Sequence, residues 1–359
     1  MHVIDTLTAA GREKVAVNLA NSLPRERFSL YLCTTREEGP LADLVKGDVG
    51  RLSLNRARRF DFMAARRLVT FNQRYKIQIL HAHDASLFIA VLASLCPPYP
   101  AVVWHDHFGL YGIKERPVWL YRLATKRLSG VIAVNQPLAE WSRQSLRIAP
   151  DRVWYIPNFV CPSDGGDEAA NLPGISGSRI VCVANLRAQK DHLTLVRAMT
   201  LVTRKVPSAN LLLVGSAIEP EYSDLVKREI ARQGLGRNIS LMGARQDVYA
   251  ILKACDIGVL SSVSEGLPLA LIEYGMAGLA AVATNVGQCR EVMDEGSTGI
   301  LVPPASPEQL ADALLSLLKS PERRLTLGKQ FQRRVQEHYS PGAVVEQVCR
   351  VYESVLSAS

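Results

Sequence analysis

The sequence contains no CxxC pair, no long uncharged apolar run and no GxGxxG after an early strand. Each absence removes a class of function. The seven cysteines, at 33, 96, 161, 182, 255, 289 and 349, are scattered and odd in number. They read as free, mostly buried thiols of a reducing cytosol, with neither a zinc site nor a disulfide framework. The longest apolar run, Ala85 to Cys96, falls short of the ~20 residues of a spanning helix. The opening MHVIDTL carries no basic segment ahead of an apolar core, so it reads as a short buried strand rather than a secretory signal. Without GxGxxG a dehydrogenase is disfavoured. No DxD stands in a strand-end loop to clamp a divalent ion, so no metal is expected at a phosphate site. There is no repeat of 20–50 residues.

What is present is an ordinary globular composition, 48% hydrophobic and 21% charged over 359 residues, a length that favours two domains. The net charge is +8. Before Leu172 there are 22 Lys/Arg against 16 Asp/Glu, and 20 against 18 from there on. The basic surplus therefore lies mostly in the first half, which points to an anionic partner on that side.

Residues 161–178, CPSDGGDEAANLPGISGS, are rich in Gly, Ser, Pro and acid and have no apolar period. They read as the connection between a first domain, 1–165, and a second, 166–340. Each half alternates apolar runs with helix-period segments. The expected strands are His2–Asp5, Phe28–Thr34, Gln78–His83, Ala101–Trp104, Gly130–Val134 and Val153–Ile156, then Arg179–Ala184, Asn210–Gly215, Ile239–Met242, Ile257–Ser261, Ala281–Ala283 and Gly299–Val302. Gly11–Ser22, His192–Lys205 and Pro307–Lys319 have helical periodicity. Strand–helix alternation predicts α/β domains with parallel sheets covered on both faces, whose ligands bind beyond the carboxyl ends of the strands. Residues 341–359 contain a helix with one apolar face, expected to pack back on the first domain.

Two segments concentrate chemistry. In SSVSEGLPLALIEYGMAG (261–278), Glu265 and Glu273 sit eight apart among apolar residues, and Pro268 suits a helix start. A loop carboxylate, a helix carboxylate and a positive helix end suit sugar hydroxyls and a phosphate. In VANLRAQKDHLTLV (183–196), Arg187 and Lys190 precede a helix whose dipole opposes cations; an anion such as a diphosphate resolves the conflict.

The order NLRxQKD, GxRxDV (Gly243, Arg245, Asp247, Val248), SEGLPxxxxEYGMAG and VATNVGxxxEVM resembles the retaining glycosyltransferases of family four, with the GT-B fold. VNLA near the N-terminus, HAHD at 81–84, WHDH at 104–107 and IPN at 156–158 fall in the same order, so the resemblance covers essentially the whole chain. It implies two Rossmann-like doubly wound domains facing each other across a cleft. It implies that Arg187 and Lys190 bind the donor diphosphate, and that Glu273 accepts from the ribose. Glu265, with Gly266, Leu267 and Pro268, would contact the donor sugar, and Arg245 and Val248 would lie beside the base. His105 would match the histidine near the reacting sugar, with His107 as second choice. Gly11, His81 and His83 would lie on the acceptor side. Three positions depart from the pattern: Ala10-Gly11-Arg12-Glu13 in place of a Gly-Gly-x-Glu turn, Ser216-Ala217 without a second glycine, and Gln288 after Gly287.

The chemistry expected is transfer of a hexose from a nucleotide-diphosphate sugar to a glycan or lipid-linked glycan. Preorganised positive charge would stabilise the leaving diphosphate, and no cofactor is expected. Glu265 and Glu273 lie on one short segment and so cannot flank a scissile bond as a glycosidase pair would. In the resembled family the leaving phosphate takes the acceptor proton on the same face, which gives retention. A nucleotide-sugar epimerase of the same fold, or a binding protein without catalysis, stays open as an alternative. The stretch 51–69 carries six arginines interleaved with Phe60, Phe62 and Met63; it is either a helix with one apolar stripe in the core, or a contact of 51–67 with an anionic membrane surface. A cytoplasmic protein, peripheral at the inner membrane face, is the expectation. No nucleic-acid-binding module pattern appears.

Overall fold

The structure is a computed structural model that describes residues 1–8, 11–56, 61–108, 116–160 and 172–358. Ala10 of the altered turn, positions 57–60 of the basic stretch and 161–171 of the expected connection lie outside the described residues. The chain divides into two units, Met1–Phe159 with Pro341–Ser359, and Val160–Ser340. The division falls just ahead of the boundary expected at 165.

The first unit runs β1 (His2–Thr6), α1 (Gly11–Ser22), β2 (Tyr31–Glu37), β3 (Gly50–Ser53), α2 (Phe62–Arg74), β4 (Ile79–His83), α3 (Leu87–Ala93), β5 (Ala101–Asp106), α4 (Val118–Thr125), β6 (Leu128–Ala133), α5 (Gln136–Gln144) and β7 (Val153–Tyr155). Its seven strands pair in parallel in the order β3-β2-β1-β4-β5-β6-β7. The order reverses between β1 and β4, which makes that the topological switch point.

Strand β3 was not expected. GRLS is an edge strand whose one partner among the described residues is β2, so no alternating apolar face was needed to hold it. Residues 62–69 of the basic stretch belong to α2, where Asp61 caps the start by accepting from the Ala64 amide at 3.0 Å. Ala64, Ala65 and Leu68 form the buried stripe, while Phe62 and Met63 are exposed.

The second unit runs β8 (Arg179–Val183), α6 (His192–Lys205), β9 (Asn210–Val214), α7 (Pro220–Arg232), β10 (Ile239–Gly243), α8 (Val248–Lys253), β11 (Ile257–Leu260), α9 (Leu269–Ala277), β12 (Ala280–Thr284), α10 (Cys289–Val292), β13 (Ile300–Val302), α11 (Pro307–Leu318) and α12 (Pro321–Tyr339). The sheet is again all parallel, in the order β10-β9-β8-β11-β12-β13, and reverses between β8 and β11. Both faces are covered, which is why these strands are unbroken apolar runs. Ile180, Cys182, Leu211 and Leu213 enter one core with residues of α6, α7 and α11. Val181, Leu212 and Val214, alternating with them, enter another with Ile251, Ile272, Phe331 and Val335. The last helix, α13 (Pro341–Ser357), belongs to the first unit.

The six described cysteines are free, and all but Cys96 are buried. Among the described residues no helix is long and apolar enough to cross a membrane.

Candidate active site

The loops leaving β8 and β11 flank the switch point of the second sheet, and they are stitched to each other. Val263 N donates to Gln189 O at 2.9 Å, Gln189 Nε2 donates to Ser264 O at 2.8 Å, and Ser261 Oγ donates to Lys190 O at 2.9 Å. This framework brings Lys190 Nζ to 2.5 Å from Glu265 Oε1, to which Ser262 Oγ also donates at 2.5 Å. The lysine side chain is 15% exposed and the glutamate 7%. At that burial a lone charge would be costly, so each needs the other.

Arg187 stands just before the short 3-10 turn Ala188–Lys190. Its Nε is sealed from solvent and has no hydrogen-bond partner among the described residues. A buried guanidinium nitrogen without an acceptor has hydrogen-bonding capacity to spare, of the kind that suits an anion. Asp191, in the left-handed region at φ 46°, then caps α6 by accepting from the Thr194 amide at 3.2 Å.

Helix α9 starts at Leu269, with Pro268 as its cap residue, so Glu265, Gly266 and Leu267 lie in the loop and Glu273 on the second turn. Pro268 makes no side-chain capping bond to this start, so its first amides suit water or an anion. Glu273 is part-buried. The next residue, Tyr274, is fully buried; its hydroxyl donates to Val259 O at 3.1 Å and accepts from Val183 N at 2.8 Å. That one oxygen bridges β8 and β11 near the switch point. Its ring fits because position 258 is glycine, where a Cβ would stand 2.5 Å from the ring.

Gly287 supports the loop from the other side. Its φ is +52°, and a Cβ there would lie 2.0 Å from Glu265 O. Gln288 N donates to Gly266 O at 3.1 Å, so the residue after the glycine also holds the loop. Arg245 and Val248, expected beside the base, flank the start of α8. The Arg245 guanidinium is already forked onto Asp247, at 2.7 and 2.5 Å.

In the first unit the expected residues also converge, with one difference. His81 and His83 on β4 and His105 and His107 on and after β5 are each two apart, so each pair shares a sheet face. The register places His83 beside His105, and His2 beside His81. His83 Nδ1 lies 3.0 Å from His107 Nε2, His83 Nε2 3.1 Å from His2 Nδ1, and His81 Nε2 3.0 Å from His105 Nδ1. The Tyr352 hydroxyl of α13 meets His81 Nδ1 at 2.5 Å. His81 and His105 are therefore interior residues, 1% and 2% exposed, and His81 is capped by Tyr352 rather than facing outward. His107, beyond the strand end, is the part-exposed one. Burial depresses all five imidazoles, His107 to about 3.

Around His107 the structure adds residues not singled out from the sequence. Asp84, itself at φ 47°, accepts from the His107 amide at 2.8 Å and from Arg12 at 3.1 Å, while Arg12 Nε donates to the buried Glu13 at 2.7 Å. Gly11 opens α1 beside them. Asp106 is buried and accepts from Arg116 at 2.9 Å. Burial pushes its carboxyl up to about 6, against the pull of Arg116. The Arg116 guanidinium lies 3.7 Å from the centre of the Trp141 ring and 4.4 Å from that of Phe108. The HxH repeats were the signal for this cluster; His2 and Tyr352 carried none, because only tertiary pairing brings them in.

Residues 9–164 match the family described as Glycosyltransferase Family 4, and residues 177–320 match Glycosyl transferases group 1. The chain is 26% identical over 299 residues to the UDP-Gal:alpha-D-GlcNAc-diphosphoundecaprenol alpha-1,3-galactosyltransferase of Escherichia coli, across 77% of this chain and 76% of that one. A glycosyltransferase from Rickettsia africae ESF-5 superposes with a TM-score of 0.81 at 20% identity, covering 100% of this chain and 99% of that one. Anabaena HepE, in complex with UDP and glucose, superposes with a TM-score of 0.79 at 17% identity, covering 99% and 100%. At such identities the two structures speak for the fold alone: two Rossmann-like α/β domains of the GT-B type. With both halves matched in order and the E. coli relative aligned over three quarters of the chain, this protein belongs to glycosyltransferase family four.

Proposed function

We propose that the protein transfers a hexose from a nucleotide-diphosphate sugar to a glycan or lipid-linked glycan, with retention and without a divalent metal. The observation that carries this reading is the group at the second switch point: the Lys190–Glu265 pair, the sealed Arg187 Nε, unpartnered among the described residues, and the start of α9, to which Pro268 makes no side-chain capping bond. In this reading Arg187 and Lys190 hold the diphosphate, and charge developing on it meets cations fixed in advance. Glu265, with the backbone of Gly266, Leu267 and Pro268, holds the donor sugar. Glu273 accepts from the ribose, and Arg245 and Val248 flank the base.

The acceptor belongs to the first unit, beside Gly11, His83 and His107. The bond from C1 to the diphosphate oxygen breaks as the acceptor oxygen bonds to C1 on the same face, and the acceptor proton passes to the leaving phosphate. His107 suits a contact with sugar better than His105 does, because it is the more exposed. The E. coli relative uses a diphosphoundecaprenol-linked acceptor, as its name states, which supports a lipid-linked glycan here. Exposed Phe62 and Met63 beside Arg66 and Arg67 on α2 support a peripheral contact with an anionic membrane on the cytoplasmic side.

The test is turnover. UDP-, GDP-, ADP- and dTDP-hexoses are incubated in EDTA with and without lipid-linked glycans, and nucleotide release and the product anomer are read by NMR. Nucleotide release only with acceptor, and an unchanged anomeric configuration, is the expected result. An inverted anomer rules out retention, isomerised donor without acceptor marks an epimerase, and binding without turnover marks a non-catalytic protein.

A further inference from the structure

Four buried histidines on β1, β4 and β5, with part-exposed His107 just past the end of β5, exceed what packing or one sugar contact requires. Three of their ring nitrogens, His2 Nε2, His105 Nε2 and His107 Nδ1, are sealed from solvent without a hydrogen-bond partner among the described residues. We propose that His83, His105 and His107 form a binding site for one late first-row divalent ion, Zn2+ or Co2+, at the carboxyl ends of β4 and β5.

The geometry fits such an ion. These three histidines each offer a ring nitrogen, and the three nitrogens all lie within 4.8 Å of one another. An ion bonded to imidazole at about 2.0–2.1 Å holds neighbouring ligand nitrogens roughly 3–3.5 Å apart, and His83 Nδ1 stands 3.0 Å from His107 Nε2. A proton shared between those nitrogens takes the ion's place when the site is free.

The outer nitrogens are also arranged for it. His83 Nε2 meets His2 Nδ1, and His105 Nδ1 meets His81 Nε2, which is anchored in turn through Nδ1 by Tyr352. Metal-bound histidines are oriented in this way, with the second ring nitrogen held by a fixed partner. That leaves His105 Nε2, sealed and unpartnered among the described residues, as its ligand atom. A set made only of imidazoles selects zinc, cobalt, nickel or copper over magnesium and calcium, which take oxygen. His107 is part-exposed, and in a site of three histidines a water commonly takes the fourth position.

His2, His81 and His83 are also close enough to share an ion. Both nitrogens of His81 are already engaged, by Tyr352 and His105, so an ion there would break a bond that the first site leaves intact. Occupancy of the first site would withdraw the His107 ring from contact with the acceptor sugar. Any effect on acceptor binding rests on the sugar contact proposed above for His107; the binding site itself does not.

The test uses the untagged full-length chain, stripped with chelator, dialysed and titrated with Co2+ while the visible d–d absorption is followed, then displaced with Zn2+. One equivalent of Co2+ is expected, with intense bands of low coordination number. Affinity should fall about 100-fold or more in His105→Gln and His107→Gln, and about 10-fold in His2→Gln. His107→Gln lies at the part-exposed position and keeps the test open if a buried variant fails to fold; circular dichroism confirms the fold of each protein. Absence of bands with the folded wild type, or binding that His107→Gln leaves unchanged, overturns the proposal.

Discussion

Lys190 Nζ and Glu265 Oε1 stand 2.5 Å apart across 75 residues of sequence, joined at the point where the second sheet reverses direction. The pair has two tasks in this account, to hold two loops together and to present a cation to phosphate. Lys190→Ala leaves Glu265 with only the Ser262 hydroxyl and should cost about 1–3 kcal/mol of stability. Adding Glu265→Gln should return much of that loss without restoring nucleotide affinity. Urea unfolding and nucleotide titration on the same three proteins separate the tasks; recovery of both together would mean that the pair is structural alone.

Gly287 gives a second handle on the same loop. Alanine at φ +52° with its Cβ 2.0 Å from Glu265 O forces the backbone to move, at a cost of roughly 2 kcal/mol or more. Nucleotide affinity should fall as well, because the displaced atoms carry Glu265 and Gly266. Calorimetric titration of Gly287→Ala checks this, and unchanged affinity would show that the loop does not meet the donor.

Tyr274→Phe removes one oxygen that serves both Val183 N and Val259 O. Taking that partner from two backbone groups should cost about 1–3 kcal/mol, or roughly 2–12 °C in the melting temperature of a unit of this size. Differential scanning calorimetry reads it directly. A melting temperature equal to wild type would mean that water replaces the hydroxyl at no cost.

His192 makes the second unit acid-sensitive. Burial, then the nearby Lys190, pulls its imidazole from 6.5 down to about 4. The unfolded chain therefore binds the proton more readily than the folded one. The histidine's contribution is complete above about pH 6.5 and is lost as the pH falls towards 4, by about 3 kcal/mol over the window. His192→Gln should flatten the stability profile between those values relative to wild type, while profiles above pH 7 run parallel. Equal slopes in the acid range would place the acid sensitivity elsewhere.

Strand positions were readable wherever both sheet faces are buried, since runs such as Leu211–Val214 admit no polar residue. The ends were less so. A strand was expected over Phe28–Thr34, but β2 starts at Tyr31, because the Phe28 ring packs edge-on against Tyr352 of α13 at 5.5 Å. Edge strand β3 hid in a basic segment because, among the described residues, it pairs on one side only. At the site, the residue types and their loops were legible in 183–196 and 261–278. Their mutual distances were not, because nothing local encodes the Gln189–Val263 and Lys190–Glu265 contacts. The histidines illustrate the same limit. Spacing of two put each pair on one face, but only the pairing of β4 with β5 puts His83 beside His105.

The most direct measurement is thermal stabilisation by UDP, GDP, ADP and dTDP in EDTA, for wild type, Lys190→Ala and Glu273→Ala. A nucleotide at ~100 times its dissociation constant adds about 2.7 kcal/mol to the folded state. The account predicts that one of the four raises the wild-type melting temperature and leaves both variants unmoved. Stabilisation undiminished in the two variants, or none by any of the four, would contradict a donor site built on these residues.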